Sequence, residues 1–343
     1  LGASLVDVEL DPQDYQTALR IALDRYRQRS SNAVEEAYSF LELQVEQTEY
    51  ELPQEIIDVR QIFRRGLGGT SGGTYIDPFS LAYTNLYLLQ AGAGGGYNTK
   101  ANIMGGNGAI VTNQVTLTQG QTLAIVVGQR GSNMNSATTY SGAAGGGGSF
   151  VYDNDSITYY TVAGGGGGAA SLSTALVTTQ ANAHANAFTT SGGTITAGAF
   201  RANGGVGGLG GNVEQTSKLI TGGAGAGILT SGQDGQTYTG TQQWGGTRAN
   251  NWVGGNTYTT FGAPGGFGGG GVAGDTDSTY YVNSTYIWAG GGGGYSGGAA
   301  GFNTRAGDGQ YAGGGGSYYT GTFISGTTGG NFGNGYVQIT KIN

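Results

Sequence analysis

The hydrophobic pattern of the chain begins with a helical stretch. Asp11 and Pro12 form a pair suited to a helix start, with a capping carboxylate followed by proline at the first helical position. Apolar side chains then recur at three- and four-residue spacing, at Tyr15, Ala18, Leu19, Ala22, Leu23 and Tyr26. This spacing predicts one amphipathic helix that ends near Arg29.

The pattern then changes to alternation. In residues 40–45, leucine and valine alternate with Glu42 and Gln44, and a second extended piece ends at Pro53. Such alternation is typical of strands in a half-buried sheet. A further segment, residues 56–63, precedes the glycine-containing stretch 66–73, which reads as a joint. We therefore predict a small α+β module over residues 1–65 and a joint over residues 66–85.

From residue 86 onward several segments have a β-like pattern. Residues 111–127 and 150–162 are β-branched and alternating, and each is broken by turn residues, at Gly120 and at residues 153–155. These two segments are predicted to be hairpins. Residues 336–340 read as a closing strand. The region 86–343 is therefore predicted to be one mainly β domain.

Glycine changes this picture more than any other residue. Of the 74 glycines, 68 lie after residue 90, in runs such as residues 145–148, 164–168, 268–271, 290–294 and 313–316. A glycine run loses much backbone entropy on folding and has no side chain to bury, so its amides must bond to neighbouring chains if it is ordered. The apolar flanks argue against a linker, and the missing Gly-X-Y repeat argues against collagen. We predict packed polyglycine II helices, extended left-handed chains with three residues per turn.

Charge and cysteine content exclude several classes of protein. All of the net charge of −7 comes from residues 1–90, which carry 14 acidic and 7 basic side chains. No basic patch for nucleic acid is apparent, and no apolar stretch approaches the roughly 20 residues that span a bilayer. With no cysteine, the chain has neither disulfides nor a thiolate metal site. We expect no nucleic-acid partner and no membrane insertion.

The residues that could support catalysis or bind a cofactor are few. His184 is the single histidine, and its Asn/Ala-rich surroundings predict an exposed loop residue. Residues 92–94 start a dinucleotide-like glycine motif, but the third motif glycine falls at Tyr97 and the later acid is missing. Asp275 and Asp277 are not followed by the loop glycine and terminal glutamate of a calcium-binding loop, so we predict that they lie in a solvated turn. We predict a protein that is not an enzyme and holds no cofactor or metal.

Aromatic loops between the glycine runs are the candidate contact sites. Residues 132–141, 238–261, 275–288 and 317–323 mix aromatic residues with Asn, Thr, Ser and Gly, a composition that antibody paratopes share. Two interpretations stay open: the rings contact a partner, or they cover a lattice that has no side chains. The candidate surface-contact residues are Tyr140, Tyr238, Trp244, Trp252, Tyr258, Tyr280, Tyr281, Tyr286, Trp288, Tyr318 and Tyr319.

The N-terminal part resembles a known family of virion proteins. Residues 25–43 (RYRQRSSNAVEEAYSFLEL), 50–66 (YELPQEIIDVRQIFRRG) and 76–89 (IDPFSLAYTNLYLL) are similar to the start of structural proteins from T-even-like marine phages. In those phages such modules belong to the head-tail neck region. The resemblance implies docking on other virion proteins, and the candidate docking residues are Arg25, Arg27, Arg29, Arg60, Arg64 and Arg65.

The glycine-rich part resembles two other families. The order of residues 86–96, 115–131, 145–152, 159–170, 265–271 and 288–298 is similar to the glycine-rich domain of anaplastic lymphoma kinase type receptors. The resemblance implies a β-sandwich like that of tumour necrosis factor, carrying polyglycine helices, although the receptor domain has disulfides. The detachable tail-fibre adhesins of T-even-like phages are similar too. Their glycine helices hold loops that touch a bacterial receptor.

Together these patterns predict a virion structural protein of the neck, or a fibre, whisker or adhesin. It would dock by its N-terminus and display a rigid glycine-rich domain toward a host receptor or glycan, or toward other virion proteins. We expect a homo-oligomer or several copies per virion. The alternative is a non-viral structural or ice-binding polyglycine protein, including a filament or matrix component.

Overall fold

The chain divides into two compact units, Leu1–Ser80 and Leu81–Asn343. The computed structural model describes residues 12–29, 83–97, 103–118, 121–133, 142–170, 180–197, 200–214, 222–235, 244–256, 263–273, 288–302 and 310–342. The predicted strands near residues 40–53 and the segment 56–63 lie outside these ranges. The domain boundaries expected at residues 65 and 85 stay predictions.

In the first unit, the structure describes one helix, α1, over Pro12–Arg29. Its bounds match the helix predicted from the Asp11-Pro12 start and the apolar spacing. The apolar stripe is not buried, because Tyr15, Leu19, Leu23 and Tyr26 are all exposed. The helix therefore presents an apolar face to solvent.

The second unit is mainly β, as the sequence predicts. Its elements, in chain order, are β1 (Tyr83–Ala91), β2 (Gly108–Thr118), β3 (Leu123–Val126), β4 (Ser149–Asp153), β5 (Tyr159–Ala163), β6 (Ala169–Ala170), α2 (Gln180–Ala183), β7 (Ile195–Ala197), β8 (Phe200–Ala202), a 3₁₀ turn (Arg248–Asn250), β9 (Gln310–Tyr311), β10 (Tyr318–Tyr319), β11 (Thr322–Asn331) and β12 (Tyr336–Lys341).

Two antiparallel four-stranded sheets dominate this unit. The first has the order β11-β2-β1-β12 and the second the order β10-β5-β4-β3. Leu88 of β1, Val115 and Leu117 of β2 and Val151 of β4 form one buried cluster, so the two sheets share a core. Inside it, the Thr161 hydroxyl donates to Asn113 Oδ1 at 2.6 Å, which satisfies two buried polar groups between the sheets.

Two of the three strand predictions are confirmed and one is wrong. Residues 150–162 form the β4–β5 hairpin, and the closing strand is β12, which pairs with β1. Residues 111–127 are not a hairpin, because β2 pairs with β1 and β11 whereas β3 pairs with β4 in the other sheet. Alternation predicts that a segment is a strand but does not say which sheet it joins.

The glycine runs bond to one another through their backbones. We use the name glycine lattice for residues 92–96, 143–148, 164–168, 222–227, 268–271, 290–294, 297–301 and 312–316. All five N–H groups of residues 164–168 have partners, and these lie in separate parts of the chain: Ser317 Oγ and the carbonyls of Gly293, Ala93, Ala183 and Gly290. Buried backbone groups of this run are therefore satisfied without a regular sheet.

The hydrogen bonds of the lattice repeat every third residue. Gly290 donates to Ala143 O at 3.2 Å, and Gly293 donates to Gly146 O at 3.0 Å, so these two runs are parallel. Residues 165 and 168 donate to the carbonyls of Gly293 and Gly290 at 2.7 and 2.8 Å, so this pair of runs is antiparallel. A chain that returns to the same neighbour every three residues has about three residues per turn.

The lattice continues the strands of both sheets. The chain passes from β1 directly into residues 92–96, from residues 143–148 into β4, and from β5 into residues 164–168. The sheets therefore hold one end of several glycine runs in position. The opposite ends of these runs lie away from the sheets.

Close approach of backbones explains why these positions are glycine. An added Cβ atom at Gly145 or Gly292 would lie under 3.0 Å from backbone atoms of another run, and one at Gly166 would lie as close to the backbone of Gly106. Positive φ explains only a few positions, because among the lattice residues only Gly268 (φ 97°) and Gly269 (φ 85°) have it. The lattice requires glycine for space, more than for conformational freedom.

Gly292→Ala is expected to destabilise the second unit strongly. The new methyl group would collide with the backbone of Gly165, and neither chain can yield without breaking its own hydrogen bonds. Overpacking in a rigid core costs about 1–3 kcal/mol or more. We expect at least that loss in the free energy of unfolding, measured by chemical denaturation, and a larger loss for Gly292→Val.

The matched control is Gly333→Ala. At this glycine the nearest atom to an added Cβ is Asn331 Oδ1, 4.0 Å away, so the methyl group is accommodated. Stability should change by less than about 1 kcal/mol. Equal effects of the two substitutions would show that close backbone approach does not hold the lattice together.

Candidate functional site

The predicted aromatic contact residues are divided by the structure. Tyr140, Tyr238, Tyr258, Tyr280, Tyr281 and Tyr286 lie outside the described residues, and their contact role stays a prediction. Trp244, Trp252, Trp288, Tyr318 and Tyr319 are described, and they do not form one surface. Each therefore has to be considered in its own surroundings.

Trp252 and Trp288 are buried, and this corrects their predicted exposure. They are 4% and 1% exposed, so neither ring is available to a partner. The Trp252 ring stacks on Phe150 with ring centroids 4.1 Å apart and lies beside Tyr152. The backbone of Trp288 lies against Gly142, at the start of the run 143–148. Both rings are therefore part of the interior, and the Trp252 ring packs on aromatic side chains of β4.

A short turn places Trp252 over the second sheet. Thr247 caps the 3₁₀ turn by accepting from Ala249 N, and Asn251 and Trp252 both have φ of 55°. The turn lays Trp252 against the outer side of β4, where Phe150, Tyr152 and Tyr159 cluster and Arg248 lies 5.6 Å from the Tyr152 ring centroid. Burial raises the pKa of the Tyr159 hydroxyl to about 12, so it stays protonated at neutral pH.

Tyr318 and Tyr319 lie on β10, where the sequence suggested a loop. Tyr318 stacks on Tyr295 with ring centroids 4.6 Å apart, which makes it part of the packing around the second sheet. Tyr319 keeps 36% of its surface exposed and leans on Phe323 at 4.8 Å. Trp244 is half-buried and makes further contacts. Tyr319 is thus the described candidate whose ring is most available to a partner.

Residues that flank three of the undescribed aromatic segments lie close together, because Ala144, two residues after Gly142, packs with Ala263 and Ala273. Gly142 follows the segment that contains Tyr140 and forms a bridge to Ala170. Ala263 follows the segment that contains Tyr258, and it bridges Ala273, which precedes the segment of Tyr280, Tyr281 and Tyr286. Sequence reasoning did not show that these flanking residues lie close together.

His184 is half-buried, which corrects its prediction as an exposed loop residue. It follows α2, and its Nδ1 accepts from the backbone N–H of Asn107 at 2.9 Å. The Asn107 side chain donates in turn to Gly329 O at 3.0 Å, so the ring lies where α2, β2 and β11 meet. Burial lowers the pKa of His184 below its ordinary value of 6.5.

The predicted docking residues fall mostly outside the described ranges. Arg60, Arg64 and Arg65 are not described, and Arg27 and Arg29 are described only as part of α1. Arg25 lies on α1 and is exposed. Among the described residues, no group of three or more His, Cys, Asp or Glu could hold a metal ion. No helix within those ranges is long and apolar enough to cross a membrane.

One feature that the sequence did not indicate is a groove on the side of the second unit. It has a volume of about 510 Å³ and is lined by residues from 201–213 and 230–233. The signal that could have revealed it is the three-residue spacing of side chains between glycines in Asn203, Val206, Leu209 and Asn212.

Trp252→Ala is expected to lower the free energy of unfolding by about 3–5 kcal/mol, because it empties a stacked and buried position. The control is Tyr319→Ala, which removes a half-exposed ring and should cost about 1 kcal/mol or less. Both values come from denaturant unfolding. A change of less than 1 kcal/mol at Trp252 would contradict its packing role.

His184 is expected to make stability depend on pH near neutrality. Because its folded pKa is lowered, the unfolded chain binds the proton first as pH falls below 6.5. The contribution of His184 to the free energy of unfolding is therefore fully present above pH 6.5. It falls as the pH drops from 6.5 toward the folded pKa, and it is constant below that pKa. His184→Asn keeps an acceptor for Asn107 N–H and does not titrate, so the slope between pH 7.5 and 5 should become smaller in urea titrations. An unchanged slope would contradict this assignment.

Comparison with known families gives a match over the N-terminal part of the chain. The family model of bacteriophage T4 neck protein gp13 matches residues 1–143, which include the whole N-terminal unit and strands β1 to β3. None of the curated proteins matches the chain. The N-terminal part is thus similar to a phage neck protein, as the resemblance in residues 25–89 implies. This match supports a structural role among virion proteins, and the protein is a component of the virion.

Proposed function

We propose that this protein docks on the neck or tail of a phage by its N-terminal unit and displays its glycine-rich unit for contact with a host surface or with other virion proteins. The match of residues 1–143 to a neck protein carries the proposal. The exposed apolar face of α1 supports it, because Leu19 and Leu23 are available to a partner. Docking and display require no catalytic step, so in this proposal the protein is a structural component and not an enzyme.

We infer that the glycine lattice consists of packed polyglycine II helices on a β-sandwich like that of tumour necrosis factor. The three-residue repeat of the hydrogen bonds supports the helices. The core shared by the two antiparallel sheets supports the sandwich. Such a unit would be rigid without disulfides, because each run is bonded to several others. Rigidity suits a module that displays loops away from the particle.

The display end would be the end of the lattice that lies away from the sheets. The flanks of the segments with Tyr140, Tyr258 and Tyr280 lie close together. Loops held side by side by rigid chains lose little entropy when they bind, which favours affinity. We propose that these aromatic segments, rather than the buried tryptophans, make the contacts.

Cryo-electron microscopy of intact particles tests this function. We expect residues 1–65 to lie against neck or tail proteins and the glycine-rich unit to project outward. Finding the protein in free filaments or in a matrix unattached to a capsid would contradict the proposal and favour a structural polymer. A thermal-hysteresis assay on the purified chain tests the ice-binding alternative. We expect the chain to produce no thermal hysteresis.

Leu19→Asp tests the docking face of α1. The side chain is exposed, so the substitution should leave folding intact while it places a charge in a surface that binds other virion proteins. We expect at least a tenfold loss of the protein from purified particles, measured by quantitative mass spectrometry. Gln13→Asp, on the opposite side of the helix, is the control and should be incorporated normally. Equal incorporation of both variants would exclude this face as the docking surface.

A further inference from the structure

We propose that the groove on the side of the glycine-rich unit binds a saccharide unit that carries a carboxylate group. The groove has a volume of about 510 Å³, within the range of roughly 300–1,000 Å³ that is usual for small-molecule sites. The proposal rests on the proposed contact with a host surface and names the chemistry that this surface would present.

Three neighbouring chain segments form the groove. Asn212 N donates to Asn203 O at 2.8 Å, and Gln233 N donates to Gly211 O at 3.0 Å. The segment 209–213 therefore lies in the middle, between residues 203–206 and 230–233. Buried glycines such as Gly205 and Gly211 form the floor of the groove with their backbones. The side chains of the residues next to them form its walls.

The three-residue spacing places polar side chains at one end of the groove and aliphatic side chains at the other. Asn203 and Val206 are three residues apart, and so are Leu209 and Asn212, which run in the opposite direction. The two asparagines consequently meet at one end and the two aliphatic residues at the other. Gln233 joins the amide end, where its Oε1 accepts from Val213 N at 3.0 Å.

The amide end carries a positive charge and free hydrogen-bonding groups. Arg201 lines the groove from the exposed side of β8. No Asp or Glu is among the described residues that line it. Within the described part of the chain, no hydrogen bond occupies the side-chain amides of Asn203 and Asn212. Arginine can hold a carboxylate with two parallel hydrogen bonds.

This combination fits an acidic sugar better than other anions. A primary amide both donates and accepts, so the asparagines can match hydroxyl groups in either orientation. Val206 and Leu209 are exposed apolar residues that can cover the C–H face of a sugar ring. Among the described lining residues there is no aromatic ring for stacking a nucleobase.

Titration calorimetry on the purified full-length chain tests the groove, with D-galacturonate and D-galactose as probes. We expect galacturonate to bind about tenfold or more tightly than galactose, because a charge-assisted pair with Arg201 is added. Arg201→Gln should abolish this preference, and Asn212→Ala should weaken binding of both sugars. Arg248→Gln removes an arginine outside the groove and should leave binding unchanged. Thermal melts check that every variant is folded.

Several results would overturn the assignment. These are no binding of either sugar at millimolar concentration, equal binding of both sugars, binding that persists in Arg201→Gln, or equally tight binding of inorganic phosphate. The outcome is separable from the proposed function. If the sugars fail to bind but microscopy shows the glycine-rich unit projecting from the particle, only the groove is excluded.

Discussion

Backbone-to-backbone contact without Cβ atoms is the constraint on which the second unit depends. In an ordinary core, side chains fill the space between elements, and backbone groups pair within a helix or a sheet. Here residues 164–168 are surrounded by other parts of the chain at hydrogen-bonding distance, and all five of their N–H groups are paired. Each of these bonds needs a neighbour with little or no side chain. A single extra carbon therefore affects two runs at once, the one that carries it and the one that it meets.

Because the interior of the lattice has no room for large side chains, the large apolar residues lie at its edges. Alanine is the residue that the interior tolerates, in small clusters such as Ala144, Ala263 and Ala273. Large rings lie where the lattice meets the sheets, as with Trp252 on Phe150 and Tyr295 on Tyr318. The hydrophobic effect thus acts mainly at the sheets and at the ends of the runs, and hydrogen bonds with close packing act between them.

The same geometry shapes the surface of the second unit. Threefold spacing places side chains three residues apart on one side of a run, which produces the groove of Asn203, Val206, Leu209 and Asn212. Gly142 pairs with Ala170, and Ala263 pairs with Ala273. Ala144 packs on the second pair, so segments that are distant in sequence lie close together. The N-terminal unit carries a different kind of surface, the apolar face of α1. The chain therefore combines an N-terminal part similar to a phage neck protein with a glycine-rich, mainly β unit.

Local periodicity was sufficient for part of this structure. The sequence by itself determined α1, the β4–β5 hairpin, the strand β12 and the need for glycine runs to bond to other chains, because these follow from spacing of 3.6 or 2 residues, turn residues and backbone entropy. Only the tertiary structure decided that β2 and β3 join different sheets, that Trp252 and Trp288 are buried, and that Arg201 lines a groove with residues 203–213 and 230–233. Glycine runs carry no side chains that distinguish one partner from another. Their pairing is set by the strands that continue into them and by contacts far apart in the sequence, which no local pattern encodes.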